Sequence, residues 1–219
     1  MRTYIDSADV EEVQYAHKLG LVDGMTTNPS LVSSTDREYR DIIEELDEFV
    51  TGPISVEVIA TDHEKMLEEA REYDTWGENI AVKLPMTRDG MQALQTLSDE
   101  GIQTNITLIF SANQALIAAK NGATMVSPFI GRLDDIGHDG IELIGEIRTI
   151  YDNYNFETDV LAASLRHPKH VKEVAKAGAD IATLPTNVAD ALFDHPKTDS
   201  GLESFISDWG DRPSPTLDE

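Results

Sequence analysis

The stretch "ENIAVKLPMT", residues 78–87, sets a lysine inside an alternating apolar run that reads as a strand. Ile80, Val82 and Leu84 share one face, Lys83 takes the other, and Pro85 ends the run. A shielded amine is a nucleophile for carbonyl carbon once its proton is gone, and nearby carboxylates can move that proton. The same alternation in "SVEVI" puts Val56 and Val58 on one face and Ser55 and Glu57 on the other. In "NITLI" it turns Ile106 and Leu108 outward and Asn105 and Thr107 inward. Asp6 opposes Ile5 in "RTYID", and Ser127 opposes Val126 in "TMVS". Each residue also has a plainer use. Lys83 could be an ion-pair partner for Glu57 or Asp6, Thr107 and Ser127 could satisfy backbone groups, and Asn105 and Asn28 could be ladder-end or turn residues.

These residues need strands to carry them, and eight β-like runs alternate with helical patterns along the chain. The runs lie near 2–6, 23–27, 53–58, 79–84, 103–108, 124–127, 159–163 and 180–183. The helical patterns cover 9–18, 36–50, 62–74, 87–99, 112–121, 139–153, 168–177 and 186–194. Ser7 or Asp9, Thr61 and Thr87 read as N-caps, and Gly20, Gly101, Gly122 and Gly178 as C-terminal stops. Eight strands each followed by a helix predict one α/β domain, a (β/α)8 TIM barrel over residues 1–209. In such a barrel the C-terminal strand ends carry the active site, and the polar residues above sit at those ends. "AAKNGATMVSPF" echoes "VAKAGADIATLPT", as repeated αβ units would. The segment "SGLESFISDWG" carries Leu202, Phe205, Ile206 and Trp209 at helical spacing, to cap its own barrel or reach a neighbouring subunit. Residues 210–219 read as a flexible acidic tail.

Composition narrows the partners. Forty-one acidic residues against seventeen basic ones give a net charge of −24, which repels nucleic acid and anionic membranes. No apolar run approaches the ~18 residues of a membrane span, and "MRTYIDSADV" lacks a signal-peptide core. There is no cysteine, so disulfides and thiolate metal sites are excluded, in keeping with a cytoplasmic protein. The acids are spread over helical segments, where salt would screen their repulsion, and this predicts a salt-rich cytoplasm. His17, His63, His138, His167, His170 and His195 fall on predicted helices or loops and read as surface residues, not as a metal cluster.

Seven motifs together resemble the small transaldolases, a group that includes the fructose-6-phosphate aldolases. They are "YIDSADVEEV…LGLVDGMTTNPSLV", "VEVIA", "AVKLPMT", "NITLIFSANQA", "VSPFIGRLDDIG", "VLAASLRHP" and "IATLPTNV", in family order from residue 2 to about residue 209. The resemblance implies a (β/α)8 barrel, a Schiff-base lysine, sugar-phosphate substrates, and neither metal nor organic cofactor. By position Lys83 matches the Schiff-base lysine and Asp6 the acid that handles the substrate hydroxyl proton. Glu57 and Thr107 match the pair that positions a water, with Asn105 beside them. Asn28 matches the asparagine on the substrate hydroxyls, Ser127 a pocket hydroxyl and Phe129 an aromatic wall. Arg132, Ser164 and Arg166 match the phosphate grip. Forked donors suit phosphate, and the chain has only nine arginines to spend on it. The aldolase branch usually has glutamine at the Glu57 position and tyrosine at the Phe129 position, so both residues here tilt towards transaldolase. The resemblance also implies a homo-oligomer, a pentamer or decamer.

Overall fold

In a computed structural model, which describes residues 1–210 and residue 212, each of the eight alternating runs forms a strand. They are Arg2–Asp6 (β1), Gly24–Thr26 (β2), Ile54–Glu57 (β3), Ile80–Pro85 (β4), Thr104–Ile109 (β5), Met125–Pro128 (β6), Asp159–Ala162 (β7) and Ile181–Leu184 (β8). All pair in parallel in chain order, and β8 pairs with β1, which closes the barrel. Parallel neighbours need a crossover, and helices provide it. The helices are Val10–Lys18 (α1), Pro29–Val32 (α2), Tyr39–Asp47 (α3), His63–Tyr73 (α4), Arg88–Asp99 (α5), Ala112–Lys120 (α6), Ile130–Asp134 (α7), Gly140–Tyr154 (α8), Pro168–Ala177 (α9), Thr186–Asp190 (α10) and Pro196–Trp209 (α11). The tail expected over 210–219 lies almost wholly outside the described residues. No helix among the described residues is long and apolar enough to cross a membrane.

The expected punctuation holds with one exception. Asp9 and Thr87 cap α1 and α5, but α4 is capped by Asp62, whose carboxylate accepts from the Lys65 N–H, and not by Thr61. Gly20, Gly101, Gly122 and Gly178 all take positive φ where their helices end. The sequence pattern does not predict helices α2 and α7. Each is a turn or so long, too short for a 3.6-residue period to register.

Closure divides the core in two. Outward strand residues such as Ile5, Val56, Val82, Leu84 and Ile106 join the helices in one large cluster, while Tyr4, Ala81, Met125, Leu161 and Ile181 form a second cluster within the barrel. The inner cluster packs the barrel below the mouth, and a cavity opens at the C-terminal strand ends. Strand β5 departs from simple alternation. Its register with β6 shifts between Ile106 and Ile109, and Leu108 takes φ 61°. The expected outward Leu108 therefore lines the mouth cavity instead, re-aimed as bulges do, and Ile109 joins the outer cluster. Helix α11 buries none of its residues, and Leu202, Phe205, Ile206 and Trp209 all lie exposed, so it does not cap its own barrel.

Tyr4 occupies the barrel only because β2 begins with glycine. A Cβ on Gly24 would stand 2.5 Å from the Tyr4 ring and 2.8 Å from the Pro53 carbonyl oxygen. Gly24→Ala is expected to destabilise the fold by about 1–3 kcal/mol, the usual cost of overpacking, read as a lower denaturant midpoint with unchanged slope.

Candidate active site

A cavity of about 430 Å3 opens at the C-terminal ends of the strands. Asp6, Asn28, Glu57, Lys83, Ser127, Phe129, Arg132 and Ser164 all line it. A larger groove of about 1150 Å3 runs over the outside along α8; its polar lining, which includes His138, Asp139, Glu142 and Glu146, holds no lysine or arginine.

Register accounts for the convergence. Glu57 on β3 stands level with Lys83 on β4, and Lys83 level with Asn105 on β5. Lys83 Nζ lies 2.9 Å from Glu57 Oε2 and donates to the Thr27 carbonyl at 3.0 Å, with the lysine side chain only 6% exposed. Its charge is thus taken out of bulk water but paired and hydrogen-bonded, which makes its burial tolerable. Asp6 accepts from the Thr26 hydroxyl at 2.7 Å, and the Thr26 hydroxyl lies 2.6 Å from that of Thr183. Since Thr26 spends its proton on Asp6, Thr183 is the donor in that second contact. Burial raises the Asp6 pKa above its ordinary value, against the opposing pull of Lys83 and the Thr26 bond.

Beneath these lies a fixed polar floor. Asn105 donates to Ser55 Oγ at 3.0 Å and accepts from Ser127 Oγ at 2.6 Å, with its side chain fully buried. Thr107 is equally buried, and its hydroxyl finds no partner among the described residues. Neither Asn105 nor Thr107 reaches the cavity surface. Asn28 lines the mouth while its side-chain oxygen caps α2 through the Leu31 N–H, leaving its amide N–H groups for other partners.

Alternation along strands could not reveal the support that α3 gives. The Thr27 hydroxyl donates to the Ser55 carbonyl at 2.8 Å, so in its 2.6 Å contact with Tyr39 it must accept. The Tyr39 hydroxyl accepts in turn from the Glu57 N–H at 3.1 Å. A directed chain therefore runs from Glu57 through Tyr39 and Thr27 to Ser55, tying together the two residues that hold Lys83. Burial drives the Tyr39 pKa upward, keeping the phenol protonated as this chain requires.

The basic side of the mouth comes from α7 and the loop after β7. The Arg132 guanidinium sits 4.9 Å over the Phe129 ring. Ser164 takes φ 60°, and its carbonyl accepts from the Gly131 N–H at 3.1 Å. A Cβ at Gly131 would come within 2.4 Å of that carbonyl oxygen, so only glycine permits the approach. Arg166 does not line the cavity, because both ends of its fork are bound by Asp135 at 2.5 Å. His170, expected at the surface, is buried beneath this loop.

This mouth lies in a chain whose likeness to known proteins extends over nearly its full length. The family profile described as Transaldolase/Fructose-6-phosphate aldolase matches residues 3–212. The chain belongs to this family. Among curated relatives, a probable transaldolase of Carboxydothermus hydrogenoformans is 54% identical over 95% of this chain and 98% of its own. One from Methanococcus maripaludis is 56% identical over 95% and 97%, and one from Hydrogenobaculum sp. 53% identical over 98% and 99%. The chain is accordingly an enzyme of the transaldolase kind.

Asp6→Asn replaces the carboxylate by a neutral amide of the same shape. The same change should raise the melting temperature at neutral pH, because ionising Asp6 costs more in the folded chain than in the unfolded one. That gain is full above the folded-state pKa, shrinks as pH falls, and disappears below the ordinary carboxylate range, where both states hold the proton. Paired melts across pH check the sign.

Proposed function

We propose that the enzyme transfers a dihydroxyacetone unit from a ketose phosphate, fructose 6-phosphate or sedoheptulose 7-phosphate, to an aldose phosphate through a Schiff base on Lys83. The observation that carries this reading is the buried Lys83 amine at a cavity mouth, 2.9 Å from the Glu57 carboxylate. Glu57 is placed to take the ammonium proton, which frees the nitrogen lone pair to attack C2 of the ketose. The carbinolamine loses water to give an iminium. Protons for that step pass through a water held between Glu57 and Thr107, and the unpartnered buried hydroxyl of Thr107 supports this role. Asp6 accepts the proton of the C4 hydroxyl as the C3–C4 bond breaks, and its electron pair moves to the iminium nitrogen. A raised pKa makes Asp6 a better base for this step. Glyceraldehyde 3-phosphate leaves when the donor is fructose 6-phosphate, erythrose 4-phosphate when it is sedoheptulose 7-phosphate, and the enamine on Lys83 attacks the aldehyde of the acceptor. The same steps in reverse release the new ketose.

Asn28 offers its amide N–H groups to substrate hydroxyls, and Ser127 and Phe129 shape the wall beside them. Arg132, Ser164 and Arg166 form the phosphate grip, with Asp135 holding the Arg166 fork until phosphate competes for it. The alternative, a fructose-6-phosphate aldolase that lets water discharge the enamine, is disfavoured by Glu57 and Phe129. Phenylalanine brings no hydroxyl to that wall for hydrolytic proton transfer. Glyceraldehyde 3-phosphate release from fructose 6-phosphate should require erythrose 4-phosphate; equal release without it would make the enzyme an aldolase. Borohydride with fructose 6-phosphate should fix a three-carbon mass on Lys83, and its absence in active protein would remove the Schiff base.

We also infer a homo-oligomer, a pentamer or decamer, in which the exposed apolar stripe of α11 lies on a neighbouring copy. The net charge of −24 suits a halophilic, salt-rich cytoplasm. Molar KCl is expected to raise the melting temperature, and light scattering in that salt to give a multiple of 24.2 kDa. A melt unchanged or lowered by salt, or a monomer, overturns the corresponding inference.

A further inference from the structure

His170 is buried, polar and unused by the chemistry above. Its Nδ1 accepts the backbone N–H of Arg166 at 3.3 Å. That contact fixes the tautomer, so Nε2 carries the proton and meets Asp134 Oδ2 at 2.9 Å. Asp134 in turn accepts the Gly140 N–H through its other oxygen at 3.1 Å. One imidazole thus links three elements: the loop after β7, the end of α7 and the start of α8. The backbone N–H of His170 donates to Nδ1 of His167, which caps α9, and the two rings stand 3.8 Å apart. Burial, and after it the neighbouring His167, lower the pKa of the ring against the opposing pull of Asp134, in keeping with acceptance at Nδ1.

The linked segments carry the residues assigned above to phosphate. Arg132 lies on α7, two residues before Asp134, and Arg166 owns the N–H that His170 holds. The loop is also fastened to α7 by the Ile130 and Gly131 N–H groups, which donate to the carbonyls of Ala163 and Ser164 at 3.0 and 3.1 Å. These bonds fix the near end of the loop. Beyond Ser164, with its left-handed backbone, Arg166 is held at two points: its N–H donates to His170 and its guanidinium to Asp135.

We propose that His170 is a positioning residue for phosphate recognition: bridging the Arg166 N–H and Asp134, it holds the β7 loop against α7 so that the Arg166 fork, once phosphate displaces Asp135, can join Arg132 on a single phosphate. This rests on the phosphate grip and the Schiff base proposed above, and the test separates the three. Asparagine at 170 can keep an acceptor near the Nδ1 position, whereas glutamine reaches towards Asp134 and abandons Arg166. Borohydride trapping on Lys83 is measured against concentration for fructose 6-phosphate and for dihydroxyacetone, which lacks the phosphate. Inorganic phosphate binding is followed by titration calorimetry.

His170→Gln should raise the ratio of the two half-saturation concentrations about tenfold, the factor carried by one lost hydrogen bond at a part-buried site. It should weaken inorganic phosphate by a similar factor, and His170→Asn should restore most of both. Arg166→Ala reports on the grip itself. If it weakens phosphate while His170→Gln matches wild type, the positioning role is overturned and the grip survives. Equal losses in the asparagine and glutamine variants make His170 a packing residue only, which also overturns the proposal. No effect of Arg166→Ala removes the grip, and the proposal with it. If wild type traps neither ketone, the Schiff base is wrong and the phosphate titrations alone decide.

Discussion

One buried charge governs the mouth of this barrel. Lys83 keeps its amine among strand ends because Glu57 and the Thr27 carbonyl share it from neighbouring strands. Removing either partner would leave a charge in a poorly solvated place, a cost of several kcal/mol in comparable settings. The surrounding order serves that requirement. Strands β3 and β4 must be in register to bring Glu57 level with Lys83, and Tyr39 reaches from α3 to tie Glu57 to Thr27. The apolar residues inside the barrel then seal the space below, so the amine can open only towards the cavity.

The two sides of the mouth are built by different physics. Around Lys83 and Asp6, every donor direction follows from counting protons among hydroxyls, and the groups are fixed by strand register. Around Arg132 and Arg166, positions depend on a loop, a one-turn helix and a left-handed Ser164. The first arrangement suits a reaction that needs a few atoms held within hydrogen-bond reach. The second suits a phosphate, whose three oxygens accept from several directions and tolerate a grip assembled from loops.

Strand parity places the site side chains where the ladder is regular. Lys83, Glu57, Asp6 and Ser127 reach one cavity because side chains alternate strictly along β1, β3, β4 and β6. It failed at Leu108, where a bulge adds a residue that no pattern of apolar types announces. Arg166 matched its motif, yet its guanidinium lies on Asp135 and outside the cavity, a choice made by a partner reached through folding. His170 is expected at the surface from its residue type, yet it stands four residues before Val174 and so on the buried face of α9, where Asp134 of α7 meets it. Tyr39 was invisible, since nothing in its own segment points to a contact with Thr27 or Glu57.

The order of residues along the chain was enough for the eight αβ units, their glycine stops and the inward placement of the lysine. These depend on local rules: side-chain period, backbone freedom and the spacing of turns. Tertiary structure alone decided which polar groups share protons, which arginine faces the cavity, and that α11 finds no seat on its own barrel. Those outcomes rest on distances between segments far apart in sequence. Such distances exist only after the sheet has closed, because closure is what sets β8 against β1 and Thr183 against Thr26.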